Sequence, residues 1–151
     1  MKYDYNTFNK ELDLLIKKLD GYIPDIILSV ARGGVVLGAL LSYRLGIREL
    51  YSINSIHYDD KKRLDHIKVY NIPDLGSKNR VLIVDDIIDS GESMAEILKK
   101  LNKQYPTNEY KIATLFYKKD ALLEPDFTLH EACEWIEFFW EGFDEDTIFS
   151  K

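Results

Sequence analysis

Segments with apolar residues at a helical period alternate along this chain with short, nearly continuous apolar runs. Phe8, Leu12, Leu15, Ile16 and Leu19 recur every three or four positions and predict an amphipathic helix, ended by Gly21 and Pro24. Asp25–Val30 reads as a short buried strand, Ala31–Gly34 as a turn, and Val35–Leu45 as an apolar helix closed by Gly46. Ile47–Tyr58 returns as a strand, Asp59–Lys68 is highly charged and reads as an exposed loop, and Val69–Ile72 as a short strand broken by Pro73. Val81–Val84 is a buried strand. Ser93–Tyr105 is a helix with Met94, Ile97, Leu98 and Leu101 on its apolar face, and Tyr110–Tyr117 is a further strand. Strands alternating with helices predict an α/β fold: a mostly parallel central sheet flanked by helices, joined by right-handed crossovers.

After Tyr117 the pattern loses its period. Ala121–Lys151 is rich in aromatic and acidic residues, with Trp135, Phe138, Phe139, Trp140 and Phe143 close together. This predicts a small C-terminal cap, or hood, over 118–151, within a single domain spanning 1–151. Trp140 is assigned to packing in that cap and Glu141–Asp146 to a solvated tail.

Composition narrows the classes. The chain has 151 residues, 46% hydrophobic and 30% charged, which suits one soluble domain with a real core. A net charge of −6 argues against non-specific binding to nucleic acid or an anionic membrane. The single cysteine, Cys133, excludes an internal disulfide and reads as a small half-buried residue. The N-terminus lacks the apolar core of a signal peptide, and no apolar run approaches a membrane span, so a cytoplasmic protein is expected. His57, His66 and His130 lack metal-ligand spacing.

The chemistry gathers in Val81–Ser93, VLIVDDIIDSGES. A buried strand ends in Asp85 and Asp86. Ile87 and Ile88 follow, then Asp89, Ser90, Gly91, Glu92 and Ser93 lead into a helix. In open α/β sheets ligands bind at the carboxyl ends of strands, and the free N–H groups of a helix start suit a phosphate. Adjacent carboxylates suit a diol or a magnesium ion. The other strand–turn–helix unit carries Arg32, Gly33 and Gly34: glycines permit close backbone approach, and arginine can clamp phosphate oxygens in a fork. Together the two turns could hold a ligand phosphorylated at two ends.

VLIVDDIIDSGES resembles the phosphoribosyl-diphosphate motif of type I phosphoribosyltransferases, and VARGG at Val30–Gly34 is similar to the pyrophosphate loop of the same families. Trp135–Glu141 (WIEFFWE) is similar to the base-binding end of bacterial xanthine-guanine phosphoribosyltransferases, and Phe116-Tyr117-Lys118 falls where that family carries its base-reading lysine. The resemblance covers nearly the whole chain and implies a type I phosphoribosyltransferase-like fold. It also implies purine salvage: transfer of 5-phosphoribose from phosphoribosyl diphosphate to guanine, xanthine or hypoxanthine, with Mg²⁺ as cofactor.

By that resemblance Arg32, Gly33 and Gly34 would hold the pyrophosphate, with a strained peptide bond, a candidate for cis, at Ala31-Arg32. Asp85 and Asp86 would meet the ribose hydroxyls, Asp86 also placing the metal. Asp89 would face the purine N7 and exchange its proton. Ser90, Gly91, Glu92 and Ser93 would cradle the 5′-phosphate, with Ile87 and Ile88 inside the same binding stretch. Trp135 would stack on the base, Ile136 would offer its carbonyl, Lys118 would donate to the 6-oxo group, and Arg63 would sit on the covering loop.

Two positions depart from the pattern. Glu92 replaces a usual glycine, and Phe139 stands where a proline often precedes the second Trp. Relatives are commonly homodimers or homotetramers. The alternatives are a phosphoribosyltransferase for another base, such as a pyrimidine, or a nucleotide-sensing regulator on the same fold. The charge of −6 weighs against a nucleic-acid partner.

Overall fold

The computed structural model describes residues 1–58 and 66–142. In chain order the elements are β1 (Lys2–Tyr3), α1 (Tyr5–Lys18), β2 (Ile26–Ala31), α2 (Gly33–Leu45), β3 (Leu50–Tyr58), β4 (His66–Tyr70), β5 (Arg80–Val84), β6 (Ile87–Ile88), α3 (Glu92–Gln104), β7 (Glu109–Ala113), β8 (Phe116–Tyr117), β9 (His130–Glu131) and β10 (Glu137–Phe138). The central sheet has five strands in the order β4-β3-β2-β5-β7. All its pairings are parallel except β3 with β4, an antiparallel pair registered from Asn54↔Tyr70 to Tyr58↔His66.

The central strands are apolar on both faces because both faces are covered. Ile27, Leu82 and Val84 pack with Phe8, Leu12 and Leu15 of α1 and Leu37 and Leu41 of α2. Their neighbours Ile26, Leu28, Val30, Val81 and Ile83 pack on the other face with Met94, Ile97 and Leu101 of α3. α1 starts where Asp4, in extended conformation, accepts the Thr7 N–H at 2.8 Å, the usual N-cap arrangement. α2 ends at Gly46, whose φ of 69° gives the left-handed C-cap.

The structure corrects several expectations. His66–Lys68 belongs to β4 rather than to a loop, so Val69–Ile72 is replaced by a strand over His66–Tyr70. The strand expected from Ile47 starts at Leu50. Tyr110–Tyr117 is not one strand. β7 stops at Ala113, and β8 pairs in a separate three-stranded sheet, β6-β8-β9. The break has a cause: Leu115 and Phe116 both donate their N–H groups to the Asp86 carbonyl, and Thr114 donates to Phe127.

The hood is also not purely C-terminal, since β1 pairs in parallel with β10. No helix of the described residues is long and apolar enough to cross a membrane.

Candidate active site

β2 and β5 lie side by side, but their chains leave in opposite directions. β2 crosses through α2 to β3 on one side, and β5 through α3 to β7 on the other. The carboxyl ends of β2 and β5 therefore flank the topological switch point, where such sheets open a crevice. The register Ser29↔Val84 brings the Ala31–Gly34 turn beside Asp85 and Asp86. Two glycines make this approach possible. A Cβ on Gly33 would overlap the Asp86 carboxylate, and one on Gly34 would overlap the Val84 carbonyl oxygen. The Ala31–Arg32 peptide is cis. Arg32 is exposed at the head of α2 and makes no ion pair among the described residues.

The acid pair is locked by its own backbone. Asp85 accepts the Asp86 N–H at 2.9 Å, and Asp86 accepts the Ile87 N–H at 2.8 Å. Burial, reinforced by the neighbouring Asp86 charge, pushes the Asp85 carboxyl well above the usual carboxylate range. Burial also raises Asp86, with a further push from Glu141. Two carboxylates that cannot comfortably both ionise make a place for hydroxyl donors or a cation.

Asp89 begins the next turn. Gly91, at φ 83°, is the N-cap of α3, and Ser90 Oγ accepts the Glu92 N–H at 3.3 Å. The N–H groups of Gly91, Ser93 and Met94 find no acceptor among the described residues, which suits a phosphate. Glu92 is exposed, so its charge has room to point away from that nest. Ile88 turns its side chain into the core and gives its carbonyl to Lys118 N–H at 2.9 Å. That main-chain bond sets Lys118 beside Asp89, and the two side chains pair. The Asp89 carboxylate holds the Lys118 ammonium above the ordinary lysine range, first by its hydrogen bond and then by its charge.

Arg32, Gly33, Asp86, Ile87, Asp89, Lys118, Trp135 and Ile136 line one cleft of about 1330 Å³. Asp85, Gly34, Ile88 and the Ser90–Ser93 turn are not in that lining; the turn sits beyond Asp89 at the head of α3. Trp135 is 80% exposed, so its ring has a face free for a ligand, whereas Ile136 is buried. Trp140 packs on the core, stacked on Phe138 at 4.7 Å, and also borders the cleft. Arg63 lies outside the described residues.

Some cleft residues went unnoticed in the sequence. Asp120, Glu131 and Glu134 line it with no motif to announce them. Cys133 is exposed at the cleft rather than half-buried. Glu141 also faces the cleft instead of joining a solvated tail, because its carboxylate accepts the Phe138 N–H at 3.2 Å in a tight turn. That turn of the backbone leaves no period in the sequence.

This geometry has relatives. The phosphoribosyl transferase domain model matches residues 5–145. A xanthine-guanine phosphoribosyltransferase of Cereibacter sphaeroides is 27% identical over 91% of this chain and 84% of its own length; one of Vibrio atlanticus is 34% identical over 75% and 70%. Among solved structures, the Helicobacter pylori xanthine-guanine-hypoxanthine phosphoribosyltransferase superposes with a TM-score of 0.89 at 37% identity, covering 99% of this chain and 98% of that one. A purine phosphoribosyltransferase of Pyrococcus horikoshii gives 0.84 at 32%, covering 95% and 94%. The acid-ended strand at the switch point, the paired turns and these likenesses together mean that the chain belongs to the type I phosphoribosyltransferase family and is a phosphoribosyltransferase.

Proposed function

We propose that this enzyme serves purine salvage, transferring 5-phosphoribose from phosphoribosyl diphosphate to N9 of a 6-oxopurine and releasing pyrophosphate. One observation carries the reading. The Lys118–Asp89 pair stands in the same cleft as Trp135 and Ile136, next to the acid-ended strand. A lysine donor beside a carboxylate acceptor complements a purine edge that offers O6 and N7–H, and an exposed indole complements its face. The names of the relatives above support the same substrate class.

In this reading the Gly91, Ser93 and Met94 amides hold the 5′-phosphate and Arg32 with its glycines holds the diphosphate. The base N9 forms a bond to the anomeric carbon as the bond from that carbon to the diphosphate oxygen breaks. The base proton passes to the Asp89 carboxylate. Arg32 faces the negative charge growing on the leaving group, a clamp of the kind that lowers such barriers. Asp85 and Asp86 accept from the ribose hydroxyls. Adjacent carboxylates at the end of β5 fit a magnesium ion, which would add positive charge against the diphosphate.

Incubation with phosphoribosyl diphosphate, magnesium and each base in turn is the direct test. Nucleotide is expected from guanine, hypoxanthine or xanthine, and not from adenine, whose 6-amino group would meet the Lys118 donor. Product from adenine or a pyrimidine alone would overturn the assignment. Lys118→Gln removes a charged donor worth roughly 1.5–3 kcal/mol, so KM for the base should rise about 10–100-fold while KM for phosphoribosyl diphosphate holds. Steady-state kinetics against both substrates checks this.

A further inference from the structure

We propose that residues 1–3 form a positioning strap for the base-reading segment, anchored by Tyr3, and that the strap sets the grip on a substituent at the purine 2-position. The proposal rests on the 6-oxopurine reading given above.

Strand β1 reaches across the molecule to the segment that lines the cleft. The Met1 nitrogen donates to the Trp135 carbonyl at 2.7 Å and to the Glu134 carboxylate at 3.3 Å. Glu137 N–H donates to Met1 O at 2.9 Å, and Phe139 N–H to Tyr3 O at 3.0 Å. Residues 135–139 are thus held from behind by main-chain bonds to Met1 and Tyr3, more than a hundred positions away. Two-residue strands hold little by themselves. Tyr3 supplies the missing hold. It is 3% exposed, its ring meets Phe116 and Phe138 edge-on at 5.2 and 5.7 Å, and its hydroxyl donates to Glu11 at 2.5 Å. Glu11 in turn contacts His130 Nε2 at 2.7 Å. Tyr3 therefore ties together β8, which leads into Lys118, and β10, which follows Trp135 and Ile136.

The strap also decides which acceptor remains. It occupies the Trp135 carbonyl, whereas the Ile136 carbonyl has no donor among the described residues. Ile136 lines the cleft although only 6% of the residue is exposed, and its unclaimed carbonyl is the polar group it can offer a ligand there. A purine 2-amino group donates to such a carbonyl; a bare 2-position does not. Hydrogen bonds weaken steeply with distance and angle, so a loosened segment should lose its hold on a 2-amino purine before it loses a purine without one. The strap acts through Ile136 and touches no substrate.

Calorimetric titration of guanosine and inosine monophosphates, which differ only by that amino group, tests the idea without turnover. In Tyr3→Ala the Kd for guanosine monophosphate should rise about tenfold and that for inosine monophosphate less than about threefold, the difference being one hydrogen bond. Tyr3→Phe keeps the ring and should recover most of the guanosine monophosphate affinity. Should Tyr3→Ala not fold, amide exchange on the unmodified protein decides: guanosine monophosphate should slow exchange at Glu137 and Phe139 more than inosine monophosphate does. Equal losses for the two nucleotides, or exchange at those amides indifferent to which is bound, would overturn the strap while leaving the purine reading standing. Failure of the unmodified protein to bind either nucleotide would remove the purine reading and the strap with it.

Discussion

Asp89→Asn should cut turnover by about 10²–10⁴-fold, the usual worth of a general base, with affinity for phosphoribosyl diphosphate nearly intact. Three features of the site separate this outcome from a merely structural effect. The Asp89 side chain is 64% exposed, so its replacement leaves no buried group unpaired and should not shift the melting temperature. The Asn carboxamide oxygen still accepts from Lys118, so the lysine stays in place. What the substitution removes is the ability to take a proton from the base. The loss should therefore appear in kcat with KM for both substrates within about threefold, the pattern of an interaction made in the transition state. Steady-state kinetics with a 6-oxopurine, beside direct titration of phosphoribosyl diphosphate, makes the measurement. Unchanged turnover would take Asp89 out of the proton transfer; a large loss of sugar-diphosphate affinity would reassign it to binding.

Much of this site could be read from the chain because its parts are local. The Asp85–Asp86 pair, the 89–93 turn and Arg32-Gly33-Gly34 each follow an apolar strand directly, and strand, turn and helix start are contiguous in sequence. The helices α1 and α3 were legible for the same reason: Phe8, Leu12 and Leu15, or Met94, Ile97 and Leu101, repeat at the helical period and all face the core. What escaped depends on distant partners. Leu115 and Phe116 continue an apolar run that reads as one strand, and only the Asp86 carbonyl, some thirty residues back, breaks it. β1, β9 and β10 are two residues long, too short for any period, and exist because each is paired from elsewhere. His66–Lys68 looks like loop because it is charged, yet charge is what an exposed edge strand carries to avoid pairing with other chains. Glu141 and Cys133 were misjudged because composition says nothing of which way a turn faces.

Gly34→Ala and Gly33→Ala should fail in different ways, and the contrast tests the geometry of the switch point. Both glycines open α2, where alanine is the better helix former by about 1 kcal/mol, so propensity alone would favour both changes. Sterics reverse this at Gly34. Its new Cβ would overlap the Val84 carbonyl oxygen and lie 2.8 Å from the Asp85 Cα, both backbone of the neighbouring strand end. Backbone in the middle of a parallel sheet cannot give way without moving β5, and overpacking of this kind costs about 1–3 kcal/mol. For a chain of this size that lowers the melting temperature by roughly 2–12 °C. The shift also separates the two turns, so affinity for phosphoribosyl diphosphate should fall with stability. At Gly33 the obstacle is the Asp86 carboxylate, the free end of a side chain. It can swing aside, giving up the Ile87 N–H it accepts at 2.8 Å. Gly33→Ala should therefore melt close to the unmodified protein yet lose most of its activity, because the displaced carboxylate no longer meets the ribose hydroxyls. Thermal melts and phosphoribosyl-diphosphate titrations of the two variants side by side make the comparison. A Gly34→Ala protein that melts and binds like the original would mean that the Arg32 turn does not approach the acid pair as closely as the structure has it.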